Sequence, residues 1–241
     1  MSTIVFRLAG PMQSWGTQSR FDVRDTGREP SKSGVVGLVC AALGRPRSEP
    51  VEDLAALRMG VRVDREGSLA RDYQTAGGSR DKSYGVRKAS GKGADTVTST
   101  RYYLADADFL AGLEGEDPLL DEIAQGLDRP RWQLYLGRKS YVPSTPMRGE
   151  TIVGSLDEVL AGYPWEARTV REAETTMEEA KGGEPRRLRL VLDAQYGTTP
   201  DVRYDVPVSF ADGDRRFTAR CVRTTWVPLT EDLIRGPDAG E

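Results

Sequence analysis

The chain opens on an alternation of apolar and polar positions. Ile4, Phe6 and Leu8 share one face of a strand over 2–8. A polar loop over 9–30 follows, broken by Gly10-Pro11, Gly16 and Gly27. Pro30-Ser31-Lys32-Ser33 supplies N-cap candidates for a helix over 33–43, which Gly44 stops. Residues 57–64 read as a strand, Arg65-Glu66-Gly67-Ser68 as a turn, and 69–75 as a second strand. Residues 76–95 are rich in Gly, Ser and Lys and carry no period. Residues 96–104, rich in Thr and Tyr, read as a strand. Pro118 sits at the start of a helix over 117–127, with Leu119, Leu120, Ile123 and Leu127 apolar, and 132–136 reads as a strand ending at Gly137.

That order is β-α-β-β-α-β, so the expected class is α+β, with a ferredoxin-like unit over 1–137. Strands 69–75 and 96–104 would continue outward into a protruding hairpin thumb over about 76–95. The remainder, 138–241, predicts a second, smaller α+β domain. It has strands at 187–193, 202–210 and 216–227, a turn at Asp212-Gly213-Asp214, and acidic helical stretches at 155–161 and 168–181.

Composition narrows the chemistry. The 241 residues contain no histidine, which removes imidazole as base, nucleophile or metal ligand. Ser-His-Asp and Cys-His arrangements are excluded, and Cys40 and Cys221 alone make a poor zinc set. Two distant cysteines fit a reducing cytoplasm. No apolar run approaches the ~20 residues that span a bilayer, and the N-terminus lacks the basic and apolar regions of a signal peptide. The expected location is therefore cytoplasmic, with no membrane partner. The net charge of -3 hides segregated blocks. Residues 1–50 sum to +3, 71–101 to +4 and 129–149 to +5, whereas 105–128 sum to -8 and 157–179 to -5. The acidic blocks suit solvent or protein partners, and the basic ones suit a phosphate backbone.

Four segments hold candidate chemistry. In Gly10-Pro11-Met12-Gln13-Ser14-Trp15-Gly16, Trp15 and Met12 either cover the sheet edge or stack on an unpaired base. Pro30-Ser31-Lys32-Ser33-Gly34 at a helix start offers N–H groups, hydroxyls and a cation, so either ordinary capping or a docked phosphate explains it. Gly85 to Gly93 has the wrong glycine spacing for a phosphate loop and lacks its Ser/Thr. It reads instead as a basic finger or a solvated loop. Gly137-Arg138-Lys139-Ser140-Tyr141 suits a bent single strand, or serves as a basic linker. Asp106/Asp108 opens an acidic helix-like region and Asp212/Asp214 a turn, and neither pair has a third metal ligand nearby. No catalytic, metal or cofactor site is expected.

Two ordered blocks, Phe6-Arg7-Leu8-Ala9-Gly10-Pro11-Met12-Gln13-Ser14-Trp15-Gly16 and Pro30-Ser31-Lys32-Ser33-Gly34-Val35-Val36-Gly37-Leu38, resemble the CasD family. Arg101-Tyr102-Tyr103-Leu104-Ala105-Asp106-Ala107-Asp108-Phe109 and Leu136-Gly137-Arg138-Lys139-Ser140 extend the resemblance, which covers about 4–140. CasD is a repeat-associated (RAMP) subunit of the type I-E CRISPR surveillance complex Cascade. The resemblance implies a non-catalytic subunit that holds the single-stranded 5′ handle of the CRISPR RNA. Its implied partners are the backbone and large subunits, with target DNA met only through the complex. Carried onto this chain, the RNA-binding candidates begin with Gln13, Ser14, Trp15, Gly16, Arg20 and Arg24 in the first loop. Lys32 and Ser33 follow at the helix start, and Arg87, Lys88 and Lys92 on the arm. Arg101 lies at the thumb base, with Arg138 and Lys139 after 132–136. The alternative is a metal-independent endoribonuclease that processes repeat RNA. Without histidine it would rely on Tyr102, Tyr103, Tyr141, Lys32 or Lys139.

Overall fold

Strand β1 (Ser2–Ala9) forms where the alternation requires it, with Ile4, Phe6 and Leu8 in the main core and Val5 in a second core behind the sheet. It belongs to a computed structural model that describes residues 1–16, 22–77, 86–87, 94–194 and 201–237. The chain continues through β2 (Met12–Gln13), β3 (Val23–Arg24), α1 (Lys32–Leu43), α2 (Glu52–Ala56), β4 (Arg58–Arg65) and β5 (Ser68–Ala76). Next come β6 (Val86–Arg87), β7 (Ala94–Asp95), β8 (Val97–Ala105), β9 (Asp108–Gly115) and α3 (Asp117–Asp128). The C-terminal part holds β10 (Glu150–Val153), α4 (Leu156–Gly162), β11 (Trp165–Glu166) and α5 (Val170–Lys181). It ends with β12 (Arg187–Ala194), β13 (Asp201–Ser209), β14 (Arg216–Pro228) and β15 (Ile234–Arg235).

One seven-stranded sheet organises the fold, in the order β10-β1-β9-β4-β12-β14-β13. The elements β1, α1, β4, β9, α3 and β10 run β-α-β-β-α-β, and their strands lie in the order β10-β1-β9-β4. Helices α1 and α3 cover one face and fill the main core with it, while α4 packs on the other face. The β5–β8 hairpin is inserted between β4 and β9, and it belongs to a separate sheet with β2 and β3. The expected boundary at 137/138 does not fall at a break in the large sheet. Beyond it, β10 pairs with β1 and β12 pairs with β4.

Two expected elements are corrected. The acidic helix-like region after Asp106 is the strand β9. It is buried on both faces, so its Phe109, Leu110, Ala111 and Leu113 form a continuous apolar run without alternation. Its terminal carboxylates are paired: Asp108 with Arg7, and Glu114 with Arg58 at 3.3 Å. Residues 132–136 are not a strand either. Their chain runs past the end of α1, where Arg131 and Trp132 donate N–H bonds to the Ala42 and Ala41 carbonyls at 2.9 and 3.1 Å. The edge position beside β1 is taken by β10 instead. Helix α4 approaches closely because Gly60 and Gly112 face each other on β4 and β9. A Cβ on Gly60 would stand 2.6 Å from Leu160 Cδ1, and one on Gly112 2.8 Å from Leu156 Cδ1.

A buried network of charges joins α1 to the C-terminal strands. Lys32 Nζ donates to Asp193 at 2.9 Å, and the Lys32 backbone N–H donates to Asp205 at 2.8 Å. Arg220 donates to Asp205 at 2.7 and 2.9 Å and also pairs with Asp193. Asp193 additionally accepts the Met59 N–H at 2.9 Å. At the start of α1, where a docked phosphate is one of two readings of the sequence, Ser31 caps the helix and the Asp205 carboxylate accepts the Lys32 N–H. Burial pulls the Arg220 pKa down, but the bonds and charges of Asp205 and Asp193 outweigh this and raise it. Burial pushes the Asp205 carboxyl up, and Arg220 and Lys32 reverse this, holding it below its usual range.

Asp193→Ala is expected to cost about 3–5 kcal/mol, because it strands the buried Lys32 ammonium and leaves Arg220 with Asp205 alone. Urea unfolding checks this, and a parental midpoint would remove the network from its role. Asp205 contributes stability above its unfolded pKa of about 3.9 and loses it as pH falls through the lower folded value. Asp205→Asn should therefore flatten the fall of stability with acid below about pH 4, read from urea midpoints across that range.

Candidate nucleic-acid interface

The base of the inserted hairpin gathers the basic candidates. Strand β8 pairs with β5 along one edge and with β2 and β3 along the other. The parallel register of β3 sets Arg24 beside Arg101, and β5 sets Asp72 opposite Arg101 on the other side. Arg101 Nε donates to Ser99 Oγ at 3.1 Å. Arg138 donates to the Arg24 carbonyl at 3.4 Å and to the Tyr141 hydroxyl at 3.0 Å. Its guanidinium also lies over the Tyr141 ring, 5.5 Å from the centroid. Tyr103, two residues along β8 from Arg101, meets the Tyr141 ring at 6.0 Å. Arg24, Arg101 and Arg138 thus converge beside two tyrosines, with Lys139 exposed next to them.

The first loop has a different role from the one foreseen. Gln13 is fully buried. Its Nε2 donates to the Leu8 and Ala107 carbonyls at 2.8 and 2.9 Å, and its Oε1 accepts the Trp15 indole N–H at 3.1 Å. Trp15 is buried under α1, against Gly34, where a Cβ would stand 2.8 Å from the ring. Ser14 is buried and donates to the Tyr102 carbonyl at 3.2 Å. Lys32 is buried in the charge network. The side chains of Gln13, Ser14, Trp15 and Lys32 are thus spent inside the chain. The reason is physical: the amide and the indole have internal hydrogen-bond partners, and the ammonium is buried and neutralised by Asp193. Gly16 is exposed, and Ser33 is half-buried at the mouth of a cleft. Arg87 lies on β6, which pairs with β7. Arg20, Lys88 and Lys92 lie outside the described residues.

That cleft has a volume of about 440 Å³ and was not foreseen. Ser33 and Gly37 of α1 form one wall, Trp132 and Tyr135 a second, and Phe210 and Arg215 a third. Trp132 is 49 % exposed. Arg45 and Arg47 also line it, paired with Asp53 at 2.7 Å and Asp212 at 3.3 Å. Cys40 reaches the same cleft, but burial pushes its thiol up to about 11, so it stays protonated. The readable signal was Arg131-Trp132 beside Tyr135, in a segment assigned to a strand. Gly137 joins the cleft to the arginine cluster. Its φ is +85°, and a Cβ there would stand 1.7 Å from the Ser14 carbonyl oxygen.

The arrangement suits a bent polyanion: cations in a row, aromatic rings beside them, and a cleft wide enough for a base. The sequence matches the family described as CRISPR-associated protein (Cas_Cas5) over residues 3–223. The chain belongs to the Cas5 family. This Cas5 chain is 34 % identical over 161 residues to the CRISPR system Cascade subunit CasD of Escherichia coli (strain K12), covering 61 % of the chain and 69 % of that protein. It is also similar to a chain of a CRISPR RNA-guided surveillance complex, at 35 % identity and TM-score 0.80, covering 98 % of this chain and 95 % of that one. A crystal structure of a Cas protein is similar at 43 % identity and TM-score 0.72, covering 98 % and 99 %. The Cas5 chain shares with these structures a mixed α/β architecture dominated by its sheet. Among the described residues no helix is long and apolar enough to cross a membrane, and no group of three acidic or cysteine side chains could hold a metal.

Gly137→Ala is expected to destabilise the Cas5 chain, because the Ser14 backbone must move to admit a Cβ at positive φ. Each kcal/mol should lower the melting temperature by about 2–4 °C for a chain of this size. Calorimetry that finds an unchanged melting temperature would show that the first loop and the 137–139 turn are not locked together.

Proposed function

We propose that this Cas5 protein is a non-catalytic RNA-binding subunit of a cytoplasmic type I-E Cascade complex, acting in antiviral defence by capping the 5′ handle of the CRISPR RNA. The observation that carries this reading is the convergence of Arg24, Arg101 and Arg138 at the hairpin base, beside the half-buried Tyr103 and the aromatic cleft. Cations set the register of a backbone, and rings and clefts take its unstacked bases. The similarity to E. coli CasD and to a surveillance-complex chain supports the same assignment.

In this reading the β1-α1-β4-β9-α3-β10 unit is a ferredoxin-like RNA-binding module. The RNA is met by Gly16, Arg24, Ser33, Arg101, Arg138 and Lys139. The arm over 76–95, with Arg87, Lys88 and Lys92, wedges between the RNA and a neighbouring subunit. The RNA-binding groups come mainly from the part up to about 139, and the protein's partners are the backbone and large subunits. Target DNA is reached only through the assembled complex. A ribonuclease reading draws no support from the geometry of two of its candidates. Lys32 is neutralised by Asp193 at 2.9 Å, and Tyr141 is buried with its hydroxyl bonded to Arg138.

Arg24→Ala and Arg138→Ala should each weaken retention of repeat RNA and lower the salt-dependence slope by about one. Arg24→Ala should keep the parental melting temperature, whereas Arg138→Ala should lower it by a few degrees, because the buried Tyr141 hydroxyl loses its partner. The measurement is a titration of labelled repeat RNA by the assembled complex at several salt concentrations, with and without EDTA. Cleavage that follows this chain and vanishes on substituting one Tyr or Lys would overturn the non-catalytic reading. Parental affinity and slope in the double variant would overturn the site.

A further inference from the structure

The hairpin has a second face, turned away from the arginine cluster. Successive residues of a strand alternate in direction, and directly opposed residues share a face. Arg101 and Tyr103 therefore lie on one side of β8, and Tyr102 lies on the other. On that other side the pairs are Arg71–Tyr102, Tyr73–Thr100 and Thr75–Thr98. Leu104 closes the face at its base, fully buried in the main core. Further out the face opens. Tyr73 is 67 % exposed, Arg71 is exposed and Tyr102 is half-buried. Arg71 has no ion pair among the described residues.

None of these six side chains is acidic. Beyond Leu69 the ladder pairs on this face add no aliphatic side chain, only tyrosine rings, threonines and Arg71. Rings, hydroxyls and an unopposed guanidinium, with no carboxylate to repel phosphate, match the needs of an unpaired strand. Tyr73 and Tyr102 sit on a diagonal of the two-stranded ladder, about 7–8 Å apart at the backbone. That separation serves two bases splayed from one strand. We infer that this face is a second contact for single-stranded RNA, with bases stacked on Tyr73 and Tyr102 and a phosphate held by Arg71. The inference rests on the RNA-binding reading above and adds to it that the strand continues onto the far side of the hairpin.

Two measurements test it. The first titrates labelled single-stranded repeat RNA with the assembled complex. Tyr73→Ala should weaken binding about tenfold, the size of losing one stacked base, and Tyr73→Phe should restore it. Arg71→Ala should reduce the salt slope by about one. The second places a photo-crosslinking amino acid at position 73 of the full chain within the complex. A crosslink to RNA is the expected product, whereas a crosslink to protein or to target DNA overturns the assignment. Parental binding by Tyr73→Ala, or equal loss in Tyr73→Ala and Tyr73→Phe, also overturns it. Arg138→Ala run in parallel separates the two claims. If Arg138→Ala weakens binding while Tyr73→Ala does not, the far face fails and the RNA-binding reading stands. If neither matters, that reading fails.

Discussion

Two cations and two carboxylates meet in the interior where α1 touches the C-terminal strands. Lys32 and Arg220 share Asp193 and Asp205, and every one of these side chains is at most 13 % exposed. Removing four charges from water is costly, and the cost is offset only when hydrogen bonds are short and complete. Here the two carboxylates are well supplied, Asp193 also by the Met59 backbone N–H and Asp205 by that of Lys32. The network is balanced in charge, and each carboxylate is held by both Lys32 and Arg220. It fixes the N-terminus of α1 against β12, β13 and β14.

The position of α1 then sets the rest of the site. One side of the helix packs Trp15 against Gly34. The other side, at Gly37, opens toward Phe210, whose nearest ring atom would stand 3.9 Å from an added Cβ. The cleft is therefore the gap left between a helix and a turn that the charge network holds apart. At the far end of α1, the carbonyls of Ala41 and Ala42 capture the chain at Arg131 and Trp132 and draw the aromatic wall into place. Gly137 then turns that chain under Ser14, which delivers Arg138 to the hairpin base.

The same logic explains why motif chemistry misled at the first loop. Gln13, Trp15 and Lys32 look like nucleic-acid contacts because they can bond in several directions. Those capacities are used internally: Gln13 fastens β1 to the segment after β8, and Trp15 seals the underside of α1. At the start of α1, Ser31 caps the helix and the chain supplies its own carboxylate, Asp205, to the Lys32 N–H. The arginines were legible as charge blocks, and three of them do converge. Their convergence depends on β3 running parallel to β8 and on Arg138 reaching across 114 positions of sequence.

Most of the elements were legible in local signals. Alternation marked β1, the Arg65–Ser68 turn preceded β5, Thr and Tyr content marked β8, Ser31 and Gly44 bounded α1, and Pro118 opened α3, because those signals act within a few residues. The sequence by itself also determined that no imidazole chemistry is possible. Only the tertiary structure decided that 108–115 is a central strand, that 150–153 rather than 132–136 lies beside β1, and that the C-terminal strands extend the same sheet. A strand buried on both faces loses its alternation, and an apolar run alone does not distinguish it from a buried helix. Which polar side chains face outward was likewise a tertiary decision. Burial depends on partners brought together from distant parts of the chain, and no local pattern records them.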